Sequence, residues 1–298
     1  MNGPWLIDTT AAACYVLSRQ TPLGGYCGYR TPEWGVEEPN APDTLAALAS
    51  LRLLAVEPPE VGLTAAWLQG LQDSEGGFPT LTIGWAALRA LRLLRQAPAR
   101  SPATWLREQT RTLRASYGDG SATVRAARHV IELLVEEQLD DGLSSVLAKE
   151  VLARSRAPMG CWARPGADLV TTADAWLLAV NAGDEEEVGG EAAPYLQSCE
   201  DSVLGLRISP TSRSSSADVL WAGCQLALGL GVRLAHPHAV GSSLTALQRA
   251  NGGFAFRSGG IPTLRDTWRA CAAARLLART PAAWPASTAD LDGRKDPE

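Results

Sequence analysis

Five aspartates stand where apolar, helix-type segments begin. At the openings of seven such segments the chain reads Asp8, Asp43, Ile83, Thr123, Asp174, Asp218 and Asp266. The plain reading of an aspartate there is an N-cap, which accepts backbone N–H bonds and stabilises its helix by about 1 kcal/mol. Asp174 departs from that reading, because Thr171 and Thr172 just upstream can cap instead and leave its carboxyl free to face an interior. A dry, aromatic surrounding disfavours the charged form of a carboxylic acid, and a retained proton is what a general acid needs. His129, four residues after Arg125, is either a base or a structural hydrogen-bonder.

Two residues further along, the same column reads Thr10, Leu45, Trp85, Arg125, Trp176, Leu220 and Trp268, with Trp221 one place later in its segment. Tryptophans in register project from the same side of their helices. They either pack a core or form an aromatic wall whose π faces stabilise a passing carbocation, each contact being worth up to about 2 kcal/mol when desolvated. Arg89, Arg92, Arg125, Arg128, Arg265, Arg269 and Arg275 lie in the same segments, where a buried guanidinium requires a partner. Arg125 with Arg128, and Arg265 with Arg269, sit three and four residues apart and can share a helix face. Forked planar donors suit phosphate oxygens; pairing with Asp and Glu at hairpin ends, or simple exposure, is the other reading.

The elements that carry these residues repeat. Trp67-Leu-Gln-Gly-Leu-Gln-Asp-Ser-Glu-Gly-Gly-Phe78 and Leu244-Thr-Ala-Leu-Gln-Arg-Ala-Asn-Gly-Gly-Phe254 share one order: Gln72, Gly76, Phe78 and Gln248, Gly252, Phe254. Segment starts spaced by roughly 40 to 50 residues fit two-helix repeats. In each unit a charge-poor helix (Thr44 to Leu54, Gly84 to Leu94, Ala175 to Val180, Val219 to Leu230, Thr267 to Leu277) is paired with an amphipathic one (Leu63 to Leu71, Ala103 to Ala115, Ser144 to Arg154, Ala192 to Gln197, Ser242 to Arg249). The spacing predicts an all-α fold, a single α/α toroid (α6-α6 barrel) of about six helical hairpins over residues 1–280, with the charge-poor helices inside. Closure is expected because neither end reads as a polar capping repeat. Residues 281–298, rich in Pro, Ala and charge, read as a mobile tail.

Composition narrows the function. The 298 residues are 46% hydrophobic and 20% charged, with a net charge of -5 and no basic tract, which disfavours nucleic acid as a partner. The six cysteines show no metal spacing and read as reduced thiols. No stretch reaches the roughly 20 apolar residues of a membrane span and no secretory leader is apparent, so a cytoplasmic protein is expected. Oligomeric state is open.

The Gln-x-x-x-Gly-x-Phe turns, joined to helices that open with Asp-Thr, resemble the repeats shared by protein prenyltransferase β subunits and the squalene and terpenoid cyclases. The resemblance covers nearly the whole chain and implies a toroid around an apolar, aromatic-lined cavity that takes an isoprenoid. Gly160-Cys-Trp-Ala-Arg-Pro165 followed by Ala173-Asp174-Ala175-Trp176 resembles the prenyltransferase turn whose arginine binds diphosphate and whose Asp-x-Cys binds zinc. Asp174 matches the acidic ligand, but Trp176 stands at the cysteine and Arg269, three after Asp266, at the histidine; a lone carboxylate is too little for zinc. Against the cyclase acid motif, Asn40-Ala-Pro-Asp-Thr-Leu45 keeps only Asp43 and Thr44, with Pro42 at the proton donor.

The expectation is a metal-free terpenoid cyclase-like or prenyl-transferring enzyme acting on a prenyl diphosphate or prenylated substrate. Asp174, Asp43 and His129 are its candidate catalytic groups. Trp85, Trp176, Trp221, Trp268, Arg125, Arg164 and Arg269 are its candidate substrate contacts. No cofactor is expected beyond Mg²⁺ accompanying a diphosphate. The alternative is a non-catalytic toroid that serves as a binding or scaffold module. A reactive Cys-Gly-Glu-Gln run, as in thioester domains on the same fold, is absent, and a paired-carboxylate glycosidase on an α/α barrel is disfavoured by the match of the turns.

Overall fold

In the computed structural model the chain is described over residues 7–28, 38–115, 120–140, 142–156 and 168–278. Arg164, its Arg-Pro turn and the tail at 281–298 lie outside those residues. Twelve helices carry the described fold, with four two-residue strands in two small hairpins. Six helices are buried on most faces: α2 (Ala41–Leu53), α4 (Leu81–Leu93), α6 (Ser121–Glu136), α8 (Leu169–Ala182), α10 (Ala217–Gly229) and α12 (Leu264–Leu277). Six flank them: α1 (Thr9–Leu17), α3 (Val61–Gln69), α5 (Ala103–Ala115), α7 (Leu143–Ser155), α9 (Glu185–Ser198) and α11 (Pro237–Leu247). None is long and apolar enough to cross a membrane.

Local signals start and stop the buried helices. Asn40, Thr80, Asp168, Ser216 and Thr263 are N-caps whose side chains accept from the amide three residues on, while Gly120 begins α6 without a side-chain cap. Each of α2, α4, α6, α8 and α10 ends on a left-handed residue: Ala55, Arg95, Gln138, Gly183 and Gly231. Leucines and alanines between these limits meet in one core. Each buried helix packs on the next, α2 on α4, α4 on α6, α6 on α8, α8 on α10 and α10 on α12, and α12 packs back on α2. Arg275 on α12 donates to the carbonyl of Leu53 at the end of α2 at 3.1 Å.

The glutamine turns tie one hairpin to the next. Gln72 donates to its own Gly76 carbonyl at 2.9 Å and to Arg100 just before α5 at 3.0 Å, and accepts from the Arg100 amide. Gln248 repeats this: it donates to Gly252 and to the Asp8 carbonyl at 2.8 Å, and accepts from the Asp8 amide at 2.9 Å. Gly76 and Gly252 hold φ near +86 and +88, and a side chain at either would strike the next hairpin's backbone, at Ser101 and Ala11. Two further turns follow the pattern. Gln20, Gly24 and Tyr26 have the same spacing, with Gln20 reaching the Pro59 carbonyl ahead of α3, and Glu200 accepts from the Ala235 amide ahead of α11 at 2.5 Å. So α1 occupies, beside the last turn, the place that α3 and α5 occupy beside earlier ones. Asp8, expected to open a buried helix, caps a flanking one.

Candidate functional site

The N-caps give the true register of the buried helices, and it differs from one anchored on aspartate. Trp85, Trp221 and Trp268 each stand five residues beyond their caps, Thr80, Ser216 and Thr263, and Arg125 stands five beyond Gly120. Trp176 stands eight beyond Asp168, so it is out of register with the other three. Its indole packs on the α10 backbone at Gly229, where any side chain would collide with it. Asp43 and Asp266 sit three beyond their caps and are locked by them. Asn40 donates to the Asp43 carboxylate at 2.8 Å, and Thr263 to that of Asp266 at 2.7 Å. Each cap side chain thus accepts from the aspartate's amide and donates to its carboxylate.

One ionic cluster joins α4, α6 and α8. Glu132 lies at its hub and accepts from Trp85 Nε1 at 2.8 Å, Arg89 at 2.9 Å and Arg128 at 2.6 Å. Burial pushes the Glu132 carboxyl up, but the Arg128 and Arg89 charges and the indole bond outweigh it and hold the group well below the usual carboxylate range. Asp174, 2% exposed, faces two guanidinium groups, with Arg128 Nε at 3.1 Å and Arg125 Nε at 3.4 Å. His129 stacks on Trp85 with ring centroids 3.9 Å apart, and burial, reinforced by Arg128, lowers its pKa well below the ordinary value. It is therefore neutral at physiological pH.

A second cluster joins α10 and α12. Arg265 donates to Asp218 at 2.5 Å, and Arg269 Nε lies 3.7 Å from the other carboxylate oxygen. The Arg269 guanidinium sits 3.5 Å from the Trp221 ring centroid and 4.3 Å from that of Trp268. Burial brings its pKa down to about 9, opposed by Asp218, and Arg128 and Asp174 also act on it. The two clusters thus lie within electrostatic reach of each other.

The structure therefore gathers Asp174, His129, Trp85 and Arg125 in one cluster and Trp221, Trp268 and Arg269 in the other. Asp43 is brought to neither: half-buried, it accepts from the Gly28 amide and from Asn40, each at 2.8 Å, and so secures the turn ahead of α2. Three of the four indoles expected to face a carbocation carry a protein group on a face, Arg269 on Trp221 and Trp268, and His129 on Trp85, and the fourth, Trp176, packs on Gly229. Zinc does not fit the positions of the resemblance. Asp174 is taken up by two arginines, Trp176 packs on Gly229 and Arg269 stands between indoles; a cation would meet guanidinium groups rather than donors. Sequence reasoning missed Glu132, although its spacing from Arg128, four residues on one helix, is an ion-pair signal. It also passed over Gln225, whose buried Oε1 has no hydrogen-bond partner among the described residues.

A protein from Actinoplanes, known from its crystal structure, is similar in fold, with a TM-score of 0.55 at 15% identity over 91% of this chain and 98% of that one. At that identity the likeness concerns the fold alone. No protein-family model matches the chain, and no curated protein matches it.

Proposed function

We propose that the twelve helices close into an α/α toroid and that the chain acts on a prenyl diphosphate or a related prenyl-bearing substrate inside it. Closure is supported by the packing of α12 on α2 and by the bridge from Gln248 to Asp8 across 240 residues of sequence. The observation that carries the functional reading is the shared register of Trp85, Trp221 and Trp268, all buried and all touched by cationic or aromatic groups. Such a surface offers indole to a hydrocarbon chain and guanidinium to its anionic head.

Initiation by ionisation suits this surface better than initiation by protonation. The carboxylates of Asp174 and Asp43 are both engaged as acceptors. In ionisation the allylic C–O bond breaks, diphosphate departs with the electron pair, the cation is captured by an acceptor or an internal alkene, and a proton is lost to a base. Departed diphosphate can accept that proton, since buried His129 resists protonation and meets Arg128 at its Nε2, and Arg125 can face the leaving group. The test is incubation with geranyl, farnesyl and geranylgeranyl diphosphates, with and without Mg²⁺, followed by mass analysis and assay of released pyrophosphate. Prenylated or cyclised product is expected; absence of both turnover and thermal stabilisation with every member overturns the proposal. A second reading, a binding module without catalysis, draws on the engagement of Asp174 by two arginines and of His129 by Trp85. Saturable binding without product is its signature.

A further inference from the structure

Arg269 is 8% exposed, and its buried Nε has no hydrogen-bond partner among the described residues. Its nearest carboxylate oxygen, on Asp218, is 3.7 Å away and outside hydrogen-bond range. A guanidinium seated on an indole spends its π face on that ring, whereas its N–H groups lie in its plane and still need acceptors. Asp218 is meanwhile held by Arg265 at 2.5 Å, which leaves two guanidinium groups sharing one carboxylate. A buried guanidinium with unspent donors costs stability unless something else satisfies it.

Gln225 supplies the complementary half. It lies one helical turn beyond Trp221 on α10, 4% exposed, with an orphan carboxamide oxygen. Counted from the N-caps it stands nine residues in, the position of Arg89 on α4 and His129 on α6, which are the groups at Trp85. At the same nine-residue level α12 presents only the buried Ala272. An orphan donor at Arg269 Nε and an orphan acceptor at Gln225 Oε1 thus come from adjacent helices that pack on each other.

We infer that Arg269 and Gln225 form a receptor for a small oxyanion that carries a neighbouring hydroxyl. Two oxygens of a phosphate or carboxylate take the guanidinium edge, and a P–OH or alcohol hydroxyl donates to the Gln225 oxygen. Asp218 and Arg265 hold the mouth of the receptor, and the two indoles keep water from competing. This deepens the reading of a prenyl-bearing substrate by naming what its head must present, and its test uses no prenyl group.

Inorganic phosphate, glycolate and acetate are titrated into the full chain, read by thermal shift and by tryptophan emission. Phosphate and glycolate are expected to raise the melting temperature with saturation, and acetate, lacking the hydroxyl, to bind more weakly. Arg269→Gln is expected to weaken phosphate about 10- to 100-fold, the loss of one or two charge-assisted bonds, and Arg269→Lys to weaken it about 10-fold because the fork is gone. Gln225→Leu, which removes an oxygen that has no hydrogen-bond partner among the described residues, is expected to melt no lower than the parent and to erase the preference for glycolate over acetate. Failure of phosphate and glycolate to bind the parent, unchanged affinity in both Arg269 variants, or a persisting glycolate preference in Gln225→Leu each overturns the inference. Binding that depends on Arg269 together with no prenyl turnover would keep the receptor and discard the prenyl reading.

Discussion

Replacing Glu132 by Gln removes one negative charge from a position only 12% exposed that three donors share. Trp85, Arg89 and Arg128 all aim at its carboxylate, at 2.8, 2.9 and 2.6 Å. The amide keeps an acceptor for one of them and turns an NH₂ toward a guanidinium. Breaking a buried pair from one side costs about 3–5 kcal/mol, because the partner is left charged and unpaired. At about 2 cal/mol/K of unfolding entropy per residue, that lowers the melting temperature by roughly 5–8 °C. An exposed pair sets the contrast: Arg114 and Glu150 meet at 2.8 Å with side chains 44% and 34% exposed, and Glu150→Gln should cost less than about 1 kcal/mol. The pH dependence is the sharper test. The folded pKa of Glu132 is depressed, so its stabilisation is complete above the ordinary value of 4.5 and is lost as pH falls below it. Urea unfolding of parent and Glu132→Gln at pH 7 and again near pH 3.5 should therefore show a gap that narrows on acidification. A gap under about 1 kcal/mol at pH 7, or one of equal size at both pH values, refutes the hub role.

His129 adds a separate window. Its folded pKa is depressed by burial and by Arg128, so as pH falls below about 6.5 the unfolded chain takes a proton that the folded chain refuses; stability should fall by up to about 1.4 kcal/mol per pH unit, and His129→Gln should flatten that part of the curve. Gln248→Ala cuts the bonds to Asp8 and Gly252 and should release α1, seen as faster amide exchange over Thr9–Leu17 with α3 and α5 unchanged; equal protection of α1 would contradict the role given to this turn. Gly229→Ala pushes a methyl group into the Trp176 indole and should cost about 1–3 kcal/mol in chemical unfolding, which a neutral result would refute.

Fold class was legible because it depends on periodicities that are local. Alternating charge-poor and amphipathic segments gave helices whose limits agree within a few residues with α2, α4, α5 and α12, and the glutamine-glycine-aromatic turns marked where flanking helices hand over to buried ones. Gln20, Gly24 and Tyr26 carry the same spacing and were open to the same reasoning. The register within the helices was harder to see. Capping is set by whichever side chain reaches the amide three residues on, and Thr80, Ser216 and Thr263 do this as well as aspartate; aligning on Asp174 therefore placed Trp176 beside Trp85 and moved Trp221 out of line.

The amino-acid sequence by itself determined a repeating all-α chain with tryptophans and arginines concentrated on its buried helices, because burial periodicity and turn chemistry act over a few residues. Only the tertiary structure decided which charges meet. Ion pairs such as Arg128 with Asp174, or Arg265 with Asp218, join residues 46 and 47 apart and depend on how neighbouring helices are rotated. That rotation follows from core packing and from contacts such as Trp176 on Gly229. The same packing leaves Arg269 on its indoles with its Nε short of an acceptor, a property of three side chains on two helices that no one-dimensional pattern records.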